Sequence, residues 1–286
     1  MDSRTPDIQT AGARYYYPEN KILEPVWRDP PPPLQPWWRK SMALIIPLAV
    51  LALAALCLWF FWWGPTRNLK HATVLVMVDS DGNGEINRGD GQGTGVIISS
   101  QGSPGYVLTC RHVLMKPAES QCGYVEIWYR PGTPRLERIK KVDLEAAGEP
   151  HPGPDTPLGR DWAVLKFTRP GRLPHVKNSP RKDFNEEKKI KATGFPKGWD
   201  MATNEFGPAV KVLHGRLTRV DRNEQGAPIR LTHDADLAGG MSGGPLVMGG
   251  KIVGLNAQIR GVEAMQENYA LPTYLLQETI FDRYQK

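Results

Sequence analysis

From His71 to Ile259, short apolar and β-branched runs alternate with turns rich in Gly and Pro. The runs are HATVLVMV, GTGVIIS, GYVLTC, YVEIWYR, WAVLKF, IKATGF, AVKVLHGRLTRV, PIRLTH, GPLVMG and KIVGLNAQI. Runs of this kind bounded by turn formers are strand signals. Many in succession, with no strand–helix–strand rhythm between them, predict an antiparallel sandwich or barrel. The polar stretch VKNSPRKDFNEEKK, residues 176–189, reads as the connection between two halves. In the closing LPTYLLQETIFDRYQK, Leu275, Leu276, Ile280 and Phe281 recur at helical spacing, which predicts a C-terminal amphipathic helix.

The start of the chain has a different pattern. Met42 to Trp63 carries no charge, and at ~1.5 Å per residue it is long enough to cross a bilayer core as one transmembrane helix. Trp37 and Trp38 on one side, with Trp59, Trp62 and Trp63 on the other, fit the aromatic belts of a membrane span. Bulky aromatics and Gly-Pro follow it, not the small residues of a cleavage site, so a retained anchor is expected. Pro47 near its start is compatible with a membrane helix. Arg28, Arg39 and Lys40 precede the span, against Arg67 and Lys70 after it. That excess places the N-terminus in the cytoplasm and the domain 71–286, after a linker 64–70, in the periplasm or outside the cell. Residues 1–41 include RDPPPPLQP, a polyproline-type tail that is either simply disordered or a docking site for a Pro-binding partner.

Composition narrows the classes. Lys and Arg number 36 against 30 Asp and Glu, a net charge of +6, and the charges are scattered, so no nucleic-acid partner is indicated. The cysteines Cys57, Cys110 and Cys122 exclude a disulfide-dense scaffold and lack zinc-site spacing. Cys110 and Cys122 can pair only if the fold brings them together in an oxidising compartment.

Three strings carry candidate chemistry: LTCRHVL around His112, RDWAVLKF around Asp161 and GGMSGGPLV around Ser242. Each sets one residue at the edge of an apolar strand-like run. Together they supply a general base, a carboxylate to orient it and a nucleophile, the three roles of acyl transfer. Singly, each has a structural reading as a core His, a strand cap or a Gly turn. Their joint occurrence in this order is what points to catalysis. An α/β-hydrolase elbow is a poorer fit, because strand formers follow GMSGG.

These strings, in the passages GTGVIISSQGSPGYVLTCRHVL, RDWAVLKF and HDADLAGGMSGGPLVMGGKIVGLNAQI, together with KATGFPKG, resemble the chymotrypsin-like serine peptidases, and within them the HtrA-like branch. The resemblance covers residues 71–285. It implies an all-β fold of two six-stranded antiparallel barrels with a C-terminal helix and the active site between the barrels. It also implies Ser242 as nucleophile, His112 as base and Asp161 as its orienting acid. The backbone N–H groups of Gly240 and Ser242 would form the oxyanion hole, and no cofactor would be required for hydrolysis of peptide bonds in protein or peptide substrates.

Departures from the pattern modify that expectation. Met241 replaces the acid that, in digestive trypsin-like enzymes, binds a newly cut N-terminus, so activation by propeptide cleavage is not expected. The chain after Pro245 is too short for a PDZ domain, so none is expected. For the substrate pocket, Asp236 stands where trypsin-like enzymes select Arg or Lys. Leu237 and the segment Asn256, Ala257, Gln258 and Ile259 resemble instead the HtrA pattern, which takes small or aliphatic side chains, and this second reading is favoured.

One loop within that span carries a second pattern of its own. DSDGNGEINRGD places Asp79, Asp81, Asn83, Glu85 (through its carbonyl), Asn87 and Asp90 at positions 1, 3, 5, 7, 9 and 12 of a calcium loop, with Gly84 at position 6. A strand rather than a helix leads in, and position 12 is Asp rather than the bidentate Glu, which predicts a weak Ca²⁺ site; the alternative is an acidic hairpin loop. The leading functional expectation is a membrane-anchored serine endopeptidase. The alternative is a catalytically silent binding or scaffold protein of the same fold.

Overall fold

The computed structural model describes residues 45, 47–57, 68–99, 103–114, 124–148, 160–179, 182–202, 205–260 and 267–285. β1 (Thr73–Val78) is buried at all positions, as its unbroken apolar run requires of a strand with neighbours on both edges. It pairs antiparallel with β2 (Gly91–Ser99) on one side and β4 (Val125–Tyr129) on the other. With β3 (Gly105–Thr109), β5 (Glu137–Ile139), β6 (Val142–Ala147) and β7 (Ala163–Phe167), the order is β5-β4-β1-β2-β3-β7-β6.

This corrects the expected first six-stranded barrel. The unit is a seven-stranded sheet whose two edge strands, β5 and β6, are consecutive in the chain. Only Lys140 and Lys141 separate them, so covalent linkage brings the edges together. Each edge nevertheless pairs inward, β5 with β4 and β6 with β7, and no ladder joins them among the described residues.

The second unit does close. β8 (Lys189–Gly194), β9 (Lys211–Arg222), β10 (Pro228–His233), β11 (Pro245–Met248), β12 (Lys251–Arg260) and β13 (Glu267–Pro272) form a barrel in the order β10-β13-β12-β11-β8-β9. Its interior holds Phe184, Ile190, Leu217, Leu231, Leu246 and Val253. The polar connection 176–189 does link the two units, as expected. It is pinned by Val176 N–H to Ile97 C=O at 3.1 Å and Ser179 N–H to Ile252 C=O at 2.9 Å.

The larger core runs from the first sheet through Val247, Ile252, Leu255 and Leu271 of the barrel to the chain end. There the C-terminal segment is helical as expected, though its pitch changes: 3₁₀ over Thr273–Leu276, π over Gln277–Phe281 and α over Asp282–Tyr284. Leu276, Ile280, Phe281 and Tyr284 are buried in this core, with Leu275 packed at its border. Gln285 Nε2 ties the end to Val176 C=O at 2.7 Å and Ile98 C=O at 3.1 Å.

Near the start, residues 47–57 are helical, with Leu48, Leu51, Leu53 and Leu56 exposed. Among the described residues, no helix is long and apolar enough to cross a membrane. The rest of the Met42–Trp63 segment, the tail 1–41 and Cys122 lie outside the described residues.

Candidate active site

Strand register brings the first two site residues together. Thr109 at the end of β3 pairs with Ala163 at the start of β7. Continuing that antiparallel register past the strand ends sets the residues after Cys110 opposite Asp161. His112 lies in the 3₁₀ turn Arg111–Leu114 that follows β3. Asp161 is buried and accepts two hydrogen bonds from His112. One comes from its backbone N–H to Oδ1 at 3.0 Å, the other from ring Nδ1 to Oδ2 at 2.7 Å. A carboxylate only accepts, so Nδ1 carries the proton and Nε2 keeps its lone pair. The His112 side chain is 43% exposed, so the ring is accessible from solvent.

Ser242 reaches the same place through close backbone packing. Gly243 has φ +83°, and a Cβ there would collide with Thr94 C=O and Thr109 Oγ1 and lie 2.9 Å from Cys110 N. The missing side chain lets the nucleophile turn pack onto Thr94 within β2 and onto the end of β3, two residues from His112. Gly243 N–H donates to Asn256 C=O at 2.7 Å, and Ser242 C=O accepts from Thr94 N–H at 2.8 Å. Ser242 is half-buried. Among the described residues no hydrogen bond joins its Oγ to His112, a contact that often forms only with substrate in place.

The turn leaves two donors free. Among the described residues, neither Gly240 N–H nor Ser242 N–H donates within the protein. Their directions are set through the carbonyls of the same peptide planes, because C=O and N–H point oppositely across a trans peptide. Gly239 C=O accepts from Lys197 N–H at 2.6 Å, and Met241 C=O accepts from Gly244 N–H at 3.0 Å. Gly240 itself has φ +87°, and a Cβ there would lie 2.5 Å from Phe195 C=O.

The residues expected at the pocket divide. Asp236 is exposed, whereas Leu237 and Met241 are buried inside the barrel with Ala235 and Leu246. An ion pair at position 241 has no place in that apolar packing. Asn256 is buried, with Oδ1 3.2 Å from Nε2 of His233. His233 Nδ1 and Asn256 Nδ2 have no partner among the described residues. Burial pushes the His233 ring down to about 4, against smaller opposing effects of Asn256 and Asp234. Ala257 is buried in the larger core. Gln258 and Ile259 resume pairing with Tyr269 and Asn268 after a bulge at Asn256–Gln258; their side chains lie outside the described residues.

Cys110 is free and buried. Its thiol donates to Asn256 C=O at 3.2 Å, and burial raises it well above the usual thiol range. The sequence alone does not mark Thr94, Gln92 or His233, and it marks Cys110 only as a candidate for pairing with Cys122. Each acts through contacts made far along the chain, and only the position of GTG at a strand start hinted at Thr94.

In the loop 79–90, Asp79 and Asp90 are buried and Asp81 is exposed, and one oxygen of each lies within 4.8 Å of the others. Asp79 accepts from the N–H groups of Gly82, Asn83 and Gly84 at 2.6, 3.2 and 2.8 Å. Burial works to raise its carboxyl, but these bonds and Asp81 together hold it below the usual range. Asp90 accepts from Ser80 N–H at 3.0 Å and Asn87 N–H at 2.7 Å. Asn83, Glu85 and Asn87 are exposed. Ile86 packs with Trp199 against Phe195, Trp128 and Met77, so the loop shares a small core with the segment behind Gly240.

No curated protein matches the sequence. Among solved structures, a variant of the HtrA-type protease AlgW with a tripeptide superposes at a TM-score of 0.54 and 21% identity. The alignment covers 75% of this chain and 60% of that one, and the likeness is one of fold. The family model for the trypsin-like peptidase domain matches residues 93–255, a span that is more than half of the chain and contains His112, Asp161 and Ser242, and the chain therefore belongs to the trypsin-like peptidase domain family.

Proposed function

We propose that this protein is a serine endopeptidase acting on proteins or peptides. The observation that carries the reading is the buried Asp161 carboxylate 2.7 Å from His112 Nδ1, beside a turn with two N–H groups that meet no acceptor among the described residues. On this reading Ser242 Oγ attacks the scissile carbonyl while His112 Nε2 takes its proton. The tetrahedral oxyanion is received by Gly240 N–H and Ser242 N–H. The imidazolium, stabilised by Asp161, then protonates the leaving amine as the C–N bond breaks, and an acyl-enzyme remains. Water, deprotonated by the same nitrogen, releases the acid and restores Ser242. Each oxyanion donor is worth ~2.7–4 kcal/mol in the transition state.

The exposure of Asp236 and the burial of Leu237 support a pocket for small or aliphatic side chains. The peptide-bearing HtrA-type neighbour is consistent with peptide substrates. The uncharged Met42–Trp63 segment supports anchoring by a single span, with the N-terminus cytoplasmic and the peptidase domain in the periplasm or outside the cell. The convergence of Asp79, Asp81 and Asp90 supports Ca²⁺ on the 79–90 loop, with oxygen ligands suited to a hard cation.

Fluorophosphonate labelling of the full chain beside Ser242→Ala tests the central reading. Labelling confined to the parent chain is expected. Absence of labelling in the parent would transfer the assignment to a silent scaffold of the same fold. A peptide panel varied at the residue before the cleaved bond tests the pocket, and a strong Arg or Lys preference would overturn the aliphatic assignment.

A further inference from the structure

Thr94 is fully buried in β2, and its polar groups converge on the turn that carries Ser242. Its Oγ1 accepts from Phe195 N–H at 3.1 Å and donates to Gly240 C=O at 2.7 Å. Its backbone N–H donates to Ser242 C=O at 2.8 Å. The roles are unambiguous, because an amide N–H only donates, a carbonyl only accepts, and a hydroxyl has one proton. The carbonyl of Thr94 is in turn held by Thr109 Oγ1 at 2.8 Å, so the clamp is itself anchored in the first sheet.

The turn contains four successive peptide planes, from Gly239–Gly240 to Ser242–Gly243. Lys197 N–H fixes the first and Gly244 N–H the third; Thr94 fixes the second and the fourth. The plane that presents Ser242 N–H is therefore flanked on both sides by planes bonded to Thr94. Gln92, two residues earlier on the same face of β2, reinforces the arrangement. Its Oε1 accepts from Trp199 N–H at 2.6 Å, steadying the short helical turn that begins after Lys197.

We propose that Thr94 is a positioning residue that locks the oxyanion turn with the Gly240 and Ser242 N–H groups facing the cleft. The proposal rests on the endopeptidase reading above. Valine would fill nearly the same volume but leave Phe195 N–H unpaired in a buried place and Gly240 C=O unpaired in a half-buried one. Relief comes by rotating the Gly240 carbonyl toward another donor, which swings the neighbouring N–H groups away from the oxyanion.

The test compares Thr94→Val, Thr94→Ser and Thr73→Val in the full chain. Thr73 supplies a second buried hydroxyl, bonded to Leu69 C=O at 2.8 Å and not to the turn. Thr94→Val should lower kcat on the order of 10–100-fold with KM nearly unchanged, a fraction of what loss of an oxyanion donor produces. Thr94→Ser should keep most of kcat, and Thr73→Val should lose thermal stability without losing kcat. The amide resonances of Gly240 to Ser242 should move in Thr94→Val and stay in Thr94→Ser. An unchanged kcat, or unmoved resonances, in Thr94→Val would overturn the proposal. If the parent chain has no activity, the endopeptidase reading fails and the resonances alone decide the clamp. Thr94→Ala, which removes the hydroxyl without a branched side chain, replaces Thr94→Val should that variant not fold.

Discussion

Asp161→Asn separates the electrostatic from the geometric contribution of the buried carboxylate. The structure determines how an amide would sit there. Oδ1 receives the backbone N–H of His112 at 3.0 Å, a donor that cannot move or change its proton, so the asparagine oxygen takes that side. The NH₂ group then faces ring Nδ1, at the position now occupied by Oδ2 2.7 Å away. Two donors cannot share that contact, so the imidazole moves its proton to Nε2 and Nδ1 becomes the acceptor. The ring keeps its place but presents N–H, not a lone pair, to Ser242. Loss of the base and of imidazolium stabilisation should lower kcat by about 10⁴, close to 5 kcal/mol of barrier. The expected result is a fall of that size at neutral pH, with KM little changed and partial recovery at alkaline pH. The assay is steady-state peptide hydrolysis from pH 6 to 10, checked by thermal denaturation. A drop below about tenfold would refute Asp161 as the orienting acid.

Three further outcomes follow from the same geometry. Gly240→Ala meets φ +87° and Phe195 C=O at 2.5 Å. It should lower kcat ~10²–10³-fold by misdirecting an oxyanion donor, with fluorophosphonate labelling as the readout; full labelling would contradict it. His233, held near 4 when folded and near ~6.5 when unfolded, binds its proton more readily in the unfolded chain. Its share of stability is therefore present above ~6.5 and lost as pH falls toward 4, about 3 kcal/mol in all. Denaturant unfolding of the parent beside His233→Gln should show their difference shrinking over that window, and a flat difference would argue against it. Saturating Ca²⁺, at about a hundredfold above Kd, should stabilise the parent by ~2.7 kcal/mol and leave Asp79→Asn unmoved in thermal denaturation. An unshifted parent at millimolar Ca²⁺ removes the metal reading.

Much of the fold was legible because its signals are local. TVLVMV can hardly be anything but a buried strand, and each of the apolar runs from HATVLVMV to KIVGLNAQI contributes one. Three strands escaped. Glu137–Ile139 is too short to form a pattern, VDLEAA carries helix formers and half-exposed positions, and ENYALP ends in the proline that opens the terminal helix. Their identity comes from the neighbours they pair with. The unclosed first sheet was illegible for the same reason, since a two-residue Lys140–Lys141 link does not say whether the strands it joins bond to each other.

The candidate site divides along the same line. The sequence by itself determined the nucleophile, base and acid candidates, the glycines that let the chain turn sharply beside them, and the run of oxygen donors from Asp79 to Asp90. These depend on residue type and spacing within a few positions. Only the tertiary structure decided that Asp161 meets His112, which follows from the β3–β7 register, and that Asp236 faces solvent while Met241 is sealed in the barrel. It alone revealed Thr94 and Lys197, which hold the peptide planes of Gly239–Gly243 from positions more than forty residues away in sequence. Hydrogen bonds from a distant strand leave no local periodicity, so the side chains were readable in the sequence and the aim of the backbone between them was not.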